Sequence, residues 1–161
     1  MSQIKVAIMM GSESDAPTMS EAAKILTDFG VANEMKVLSA HRTPKECAQY
    51  AEELKGRGVK VVICGAGGSA ALAGVVAAHT SLPVIGIPIE STALNGMDSL
   101  LSTVQMPPGV PVAAVAIGKP GAKNAALLAL RIMALSDAEI EKKLAKYRDD
   151  QREKILKTKL T

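Results

Sequence analysis

Ile4-Lys5-Val6-Ala7-Ile8-Met9-Met10-Gly11-Ser12-Glu13-Ser14-Asp15 sets an almost unbroken apolar run against a short polar loop. Strict alternation of apolar and polar residues would mark a strand with one wet face. A continuous run of this kind marks a strand buried on both faces, as in a parallel sheet covered by helices. Beyond the loop, Met19, Ala22, Ala23, Leu26 and Phe29 recur at helical spacing over residues 16–29, and Gly30 supplies a left-handed helix stop.

The same order of strand, polar loop and helix repeats along the chain. Residues 33–38 form a weaker strand that leads into Ser39-Ala40-His41-Arg42. Thr43-Pro44-Lys45-Glu46 then reads as a helix start, with Thr at the cap, Pro in the first position and Glu three residues after the cap. That helix runs to about Lys55, and Gly56 and Gly58 stop it. Val59 to Cys64 predicts a third strand, followed by Gly65-Ala66-Gly67-Gly68 and a helix of small residues to about His79. Pro83–Ile89 predicts the fourth strand, Met97–Val104 a short helix, Pro111–Ile117 the fifth strand, and 121–135 a further helix.

Such alternation means parallel strands joined by right-handed helical crossovers, a three-layer α/β sandwich in a single domain over residues 1–161. Ligands in sheets of this kind collect at the carboxyl ends of the strands. Ser136-Asp137-Ala138-Glu139 reads as a capping box opening a last helix over about 137–161, with Ile140, Leu144, Tyr147 and Ile155 on a narrow apolar stripe. So narrow a stripe on a charged helix predicts docking on a neighbouring subunit rather than completion of its own core.

Composition excludes several classes of partner. The apolar fraction is 48%, yet there is no Trp, one Phe and two Tyr, so the core is aliphatic and base-stacking platforms are lacking. The 19 basic residues are interleaved with 16 acidic ones to a net charge of +3, without a basic stripe, which argues against nucleic acid. No apolar stretch reaches the ~20 residues needed to span a bilayer, and the opening residues lack a leader pattern, so a membrane is not expected and a cytoplasmic protein is. Cys47 and Cys64 have no metal-ligand spacing and read as buried thiols suited to a reducing compartment.

Two polar loops carry the chemistry. In the first, Gly11 permits close backbone approach, Ser12 and Ser14 offer hydroxyls, and the helix that follows offers amides and a partial positive charge, a combination suited to phosphate. Asp15 fits poorly beside an anion; it either caps the helix or accepts hydrogen bonds from sugar hydroxyls. In the second, Ser39 precedes His41 and Arg42 at a strand's carboxyl end. An imidazole there is either structural or a proton carrier near neutral pH, and Arg42 is either a surface cation or a bidentate phosphate grip.

Other features weigh less. Gly65-Ala66-Gly67-Gly68-Ser69-Ala70 is a weak match to a dinucleotide fingerprint, since it follows the third strand and lacks the acidic residue expected ~20 positions on; its glycines instead suit a small ligand touching backbone amides. An oxidoreductase reading rests on that loop alone. His79 reads as a favourable charge at a helix end, and Lys119 and Lys123 as surface cations or secondary phosphate contacts. Glu90 to Gln105 is long enough to hold a binding loop. The pattern contains no Cys/His/Asp metal cluster and no nucleophile with an evident base.

Taken in order, Met10-Gly-Ser-Glu-Ser-Asp15, Ser39-Ala-His-Arg-Thr-Pro44, Gly65-Ala-Gly-Gly68, Leu82-Pro-Val-Ile-Gly86, Asp98-Ser-Leu-Leu101, Val104-Gln-Met-Pro107 and Lys123-Asn-Ala-Ala-Leu-Leu128 cover nearly the whole chain. In these motifs the sequence resembles the N5-carboxyaminoimidazole ribonucleotide mutases of bacterial purine biosynthesis, within the phosphoribosylaminoimidazole carboxylase catalytic-subunit family. Gly65-Ala-Gly-Gly68 and Ser39-Ala-His-Arg42 favour that branch over the carboxylases of animals. The resemblance implies a flavodoxin-like sandwich with a five-stranded parallel sheet, assembled as a homo-octamer, binding a ribonucleotide and using no cofactor or metal. It implies that Ser12 and Arg42 hold the 5′-phosphate, that Asp15 holds the ribose, and that His41 moves protons. Gly11, Ser14, Ser39, Gly67 and Gly68 are the accompanying binding residues. One departure stands out: where the family has a second active-site histidine, this chain has Ala71. The alternative expectation is therefore a weakened paralogue that binds a ribonucleotide without efficient turnover.

Overall fold

The computed structural model describes residues 3–91 and 93–159. Five strands, β1 (Val6–Met10), β2 (Asn33–Val37), β3 (Val61–Gly67), β4 (Val84–Ile89) and β5 (Ala113–Ala114), form one sheet in the order β2-β1-β3-β4-β5. Every neighbouring pair is parallel, as the strand–helix alternation requires.

Six α-helices cover the sheet: α1 (Ala16–Asp28), α2 (Pro44–Leu54), α3 (Leu72–His79), α4 (Met97–Val104), α5 (Gly118–Ala134) and α6 (Ala138–Lys157). The two-residue period of a strand divides its side chains between two cores. Val6, Ile8 and Met10 join Val61, Ile63, Ile85, Ile87 and Ile89 beneath α1 and α5. Ala7 and Met9 join Val62, Cys64 and Val84 beneath α2 and α3. The continuous apolar run of β1 is thus the signature of a strand with two dry faces. At roughly 25 cal/mol per Å2 of apolar area removed from water, burial on both faces makes this interior strand a stabilising element of the sheet.

Several boundaries differ from those read in the sequence. Gly65 to Gly67 continue β3 instead of opening a loop. β5 shrinks from the expected Pro111–Ile117 to two residues, because only Ala113 and Ala114 register with Ile85 and Gly86. Thr43 stands at the cap position of α2, but its side chain makes no capping bond there. Instead it turns back, accepting the amide of Ser39 at 2.9 Å and donating to the Ser39 carbonyl at 3.1 Å, so it braces the loop before the helix. At α6 the cap is Asp137 rather than Ser136; its Oδ1 accepts the amides of Glu139 and Ile140 at 3.0 and 3.2 Å.

The long helix divides in two. Ile140 is buried, Leu144 and Tyr147 pack against the core beneath α5, and the Tyr147 ring lies 5.8 Å from that of Phe29. Its first turns therefore complete the subunit's own core, which narrows the expected neighbour contact to the turns beyond. From Arg148 to Lys157 every residue is exposed, Ile155 and Leu156 included. No helix among the described residues is long and apolar enough to cross a membrane. Cys47 and Cys64 are both buried and unpaired, and burial pushes both thiols above their ordinary range.

Candidate active site

The strand order changes direction between β1 and β3, and in such sheets the crevice outside the strands' carboxyl ends lies at that point. Backbone bonds fix the loops there. The Gly11 amide donates to the Gly65 carbonyl at 3.3 Å, and the Leu38 amide to the Met10 carbonyl at 2.9 Å. The cleft holds about 370 Å3 and is lined from four crossovers: Gly11, Ser12, Ser14 and Asp15 after β1; Ser39, Ala40, His41 and Arg42 after β2; Ala66, Gly67, Ser69, Ala71 and Leu72 around the end of β3; and Ser91 after β4.

After β1 the chain makes a short 3-10 turn at Glu13–Asp15 before α1 begins. Ser12 caps it: its Oγ accepts the Ser14 amide at 3.3 Å and the Ser14 hydroxyl at 2.9 Å. Asp15 occupies the position before α1 but makes no side-chain cap bond, so the capping alternative for this residue is removed. The residue is only 7% exposed and lines the cleft. Burial raises its pKa above the ordinary carboxylate value, while the Ser12 amide, the Ser14 hydroxyl and the charge of Arg42 oppose the rise.

The loop after β2 is drawn onto the first by Arg42. Its Nη2 donates to the Gly11 carbonyl at 2.8 Å and its Nε to Ser39 Oγ at 3.4 Å, while the Arg42 amide reaches the same hydroxyl at 3.2 Å. Arg42 is therefore a fixed cation of the cleft rather than a free surface charge. His41 is exposed and lines the same cleft.

Of the residues expected in the site, Gly11, Ser12, Ser14, Asp15, Ser39, His41, Arg42 and Gly67 come together. Gly68 does not line the cleft; with φ of 62° it makes the turn out of β3, a conformation few other residues adopt. Sequence reasoning missed Ser69 and Ser91 as lining residues. The long 90–105 connection was the one available signal for Ser91.

Features outside the cleft resolve differently. His79 Nδ1 lies 3.0 Å from Glu52 Oε1 on α2. Lys123 faces Glu21 at 3.5 Å and lines a separate groove between α5 and α6. Gly65 is a packing glycine: an added Cβ would overlap Met19 Sδ and stand 2.9 Å from Met19 Cε. A dinucleotide fingerprint needs its glycines in a loop opening a helix, and Gly65 and Gly67 lie within a strand. Among the described residues no group of three or more His, Cys, Asp or Glu could hold a metal ion.

The fold and cleft together define a parallel α/β protein of flavodoxin-like strand order, with a pocket lined by hydroxyls, a carboxyl, an imidazole and a guanidinium at its topological switch point. More particularly, the chain belongs to the AIR carboxylase family, whose model matches residues 5–154. It is 62% identical over 148 residues to the N5-carboxyaminoimidazole ribonucleotide mutase of Pyrococcus abyssi, spanning 92% of this chain and 84% of the relative. With that of Saccharolobus solfataricus it shares 57% over 156 residues, 97% of this chain and 98% of the relative. With that of Bacillus subtilis it shares 54% over 153 residues, 95% and 94%. Among solved structures, Treponema denticola PurE aligns with a TM-score of 0.85 at 34% identity over 94% of this chain and 93% of that one. A substituted form of Treponema denticola PurE2 aligns at 0.87 and 33%, over 96% and 95%.

Proposed function

We propose that this protein converts N5-carboxyaminoimidazole ribonucleotide to 4-carboxy-5-aminoimidazole ribonucleotide, moving a carboxylate from the exocyclic nitrogen to a ring carbon without ATP, metal or organic cofactor. The observation that carries this reading is the convergence of His41, Arg42, Ser12 and Asp15 on one cleft, in a chain whose relatives bear that mutase name.

In this reading the 5′-phosphate lies against Arg42, Ser12, Ser14 and Ser39. Arg42 contributes the guanidinium donors that its bonds to Gly11 and Ser39 leave free. Asp15 accepts the ribose hydroxyls, and the open space beside Gly11 lets the ligand approach the backbone closely. The heterocycle then lies toward His41. Protonated His41 gives its proton to the exocyclic nitrogen as the N–C bond breaks, and the bonding pair returns to nitrogen. Carbon dioxide is released beside a ring carbon made electron-rich by that amine. The ring carbon attacks it, and the now neutral imidazole removes the proton from the same carbon, restoring aromaticity and its own charge. Holding carbon dioxide beside the ring replaces a bimolecular encounter with a local one.

His41 and Arg42 are exposed in a single subunit, which suits a pocket closed by a neighbour in a cytoplasmic homo-oligomer of eight single-domain copies. The decisive experiment is ATP-free interconversion of the two carboxylated ribonucleotides by the purified protein, with His41→Asn as comparison. Loss of at least ~100-fold in turnover with ligand binding retained is expected for a general acid/base. Undiminished turnover in that variant would remove His41 from the role.

Ala71 favours a second reading, since it lines the cleft where the resemblance expects a histidine. A weakened paralogue would show tight ribonucleotide binding in calorimetry and no isomerisation.

A further inference from the structure

Five serines line the cleft: Ser12, Ser14, Ser39, Ser69 and Ser91. The first three hold the two phosphate-side loops in shape, through bonds within the Ser12–Ser14 turn and from Arg42 to Ser39. Ser91 stands on the opposite wall, on the loop after β4, and its hydroxyl has no hydrogen-bond partner among the described residues. Its place depends on a glycine. A Cβ added at Gly67 would overlap Ser91 Oγ, stand 2.7 Å from Ser91 Cβ and 3.0 Å from the Ile89 carbonyl oxygen. Gly67 therefore leaves a seat at the end of β3 that the Ser91 side chain occupies, bringing a hydroxyl from the fourth strand to a cleft otherwise built from the first three.

We propose that Ser91 recognises the heterocycle of the ligand, hydrogen-bonding the carboxylate or amino substituents of the aminoimidazole ring. The inference rests on the ribonucleotide reading of the cleft. With phosphate and ribose held from the β1 and β2 loops, the ring is the part of the ligand left to meet the wall formed by Gly67 and Ser91. That wall presents Ala66, Ala71 and Leu72 as apolar surface, so an open hydroxyl there supplies polar discrimination. A serine hydroxyl both donates and accepts, so it can serve the ring carboxylate of the product and the amine beside it.

The test compares two probes, ribose 5-phosphate and 4-carboxy-5-aminoimidazole ribonucleotide, titrated calorimetrically into wild type, Ser91→Ala and Gly67→Ala. Ser91→Ala should weaken the carboxylated nucleotide roughly 10-fold, the scale of one lost hydrogen bond to a charged group, and leave ribose 5-phosphate unchanged. Gly67→Ala, by displacing Ser91, should give the same selective loss. In turnover, Ser91→Ala should raise KM more than it lowers kcat. Wild-type affinity for the nucleotide in Ser91→Ala, or equal weakening of both probes, overturns the role of Ser91 and leaves the ribonucleotide reading intact. Failure of the wild type to bind either probe overturns both.

Discussion

Arg42 Nη2 donates a 2.8 Å hydrogen bond to the carbonyl oxygen of Gly11, thirty-one residues away, and so ties the loop after β2 to the loop after β1. The same guanidinium reaches Ser39 through Nε. Two of its five donors thus position the cation, and the remainder stay available to an oxyanion.

Arg42→Lys should therefore fail as a conservative change. An ammonium keeps the charge but cannot both reach Gly11 and present a planar fork to phosphate. Affinity for ribose 5-phosphate should fall about 10- to 100-fold, the scale of losing hydrogen bonds between charged groups, while the melting temperature stays close to wild type. Calorimetry beside thermal melts checks this. Unchanged affinity in Arg42→Lys would mean that phosphate lies elsewhere.

Much of this was legible in the primary sequence, for identifiable reasons. Buried parallel strands write themselves as apolar runs, so Val6–Met10 and Val84–Ile89 could be placed closely. Loops at strand ends announce themselves by Gly, Ser and charge, which brought out Gly11–Asp15 and Ser39–Arg42. What local pattern could not supply was tertiary. Thr43 carries the cap residue's chemistry yet directs it to Ser39, and Asp15 has cap-like spacing yet turns into the cleft. Gly65 looks like a phosphate loop but makes room for Met19. Ser91 is one serine among many until Gly67 is seen beneath it.

Ala71→His tests whether the native cleft is attenuated. Position 71 lies just before α3 and lines the same space as His41. If a second imidazole normally shares the proton traffic, restoring it should raise turnover 10-fold or more, the lower range of general acid/base assistance. Unchanged or lower turnover would show that the cleft works with a single histidine.

Asp15 should make folding stability depend on pH. Burial raises its folded pKa above the unfolded value, so the fold binds this proton more tightly than the unfolded chain does. Its contribution is then most favourable below the ordinary carboxylate range and declines as pH rises through the raised value. Asp15→Asn removes the buried charge and should melt higher than wild type at about pH 7, with the gap closing toward about pH 4. Ribose affinity should fall in the same variant, because the amide replaces an acceptor-only carboxylate. A gap that does not vary with pH would deny that burial of this charge costs stability.

Two helical glycines separate steric need from propensity. Gly121, in the first turn of α5, faces the Ala116 backbone; an added Cβ would overlap its carbonyl oxygen and lie 2.7 Å from the carbonyl carbon. At Gly74 in α3 the nearest atoms are Met106 Cε and Sδ, both at 3.2 Å, at the far end of a flexible side chain. Gly121→Ala should cost about 3 kcal/mol in urea unfolding. Gly74→Ala should be neutral or up to about 1 kcal/mol stabilising, from the higher helix propensity of alanine. The reverse ranking would contradict the packing of α5 on the 113–117 segment.

The proposed homo-oligomer has two distinct surfaces on which to be tested. Met97, Leu101 and Val104 recur along the exposed face of α4, and Leu94 precedes them, at 52, 50, 49 and 62% exposure. Isolated exposed apolar residues are ordinary, but a run at helical spacing on one helix suits a contact between copies. The second surface is the far half of α6, where Ile155 and Leu156 lie clear of the subunit's own core. Removing the whole helix would confuse folding with assembly, since Ile140, Leu144 and Tyr147 belong to that core. Removing only residues 149–161, or introducing Met97→Glu with Leu101→Glu, should leave thermal stability of the subunit nearly intact and lower the mass in light scattering. If both variants keep the wild-type mass, neither surface joins the copies, and the exposed His41 and Arg42 need some other cover.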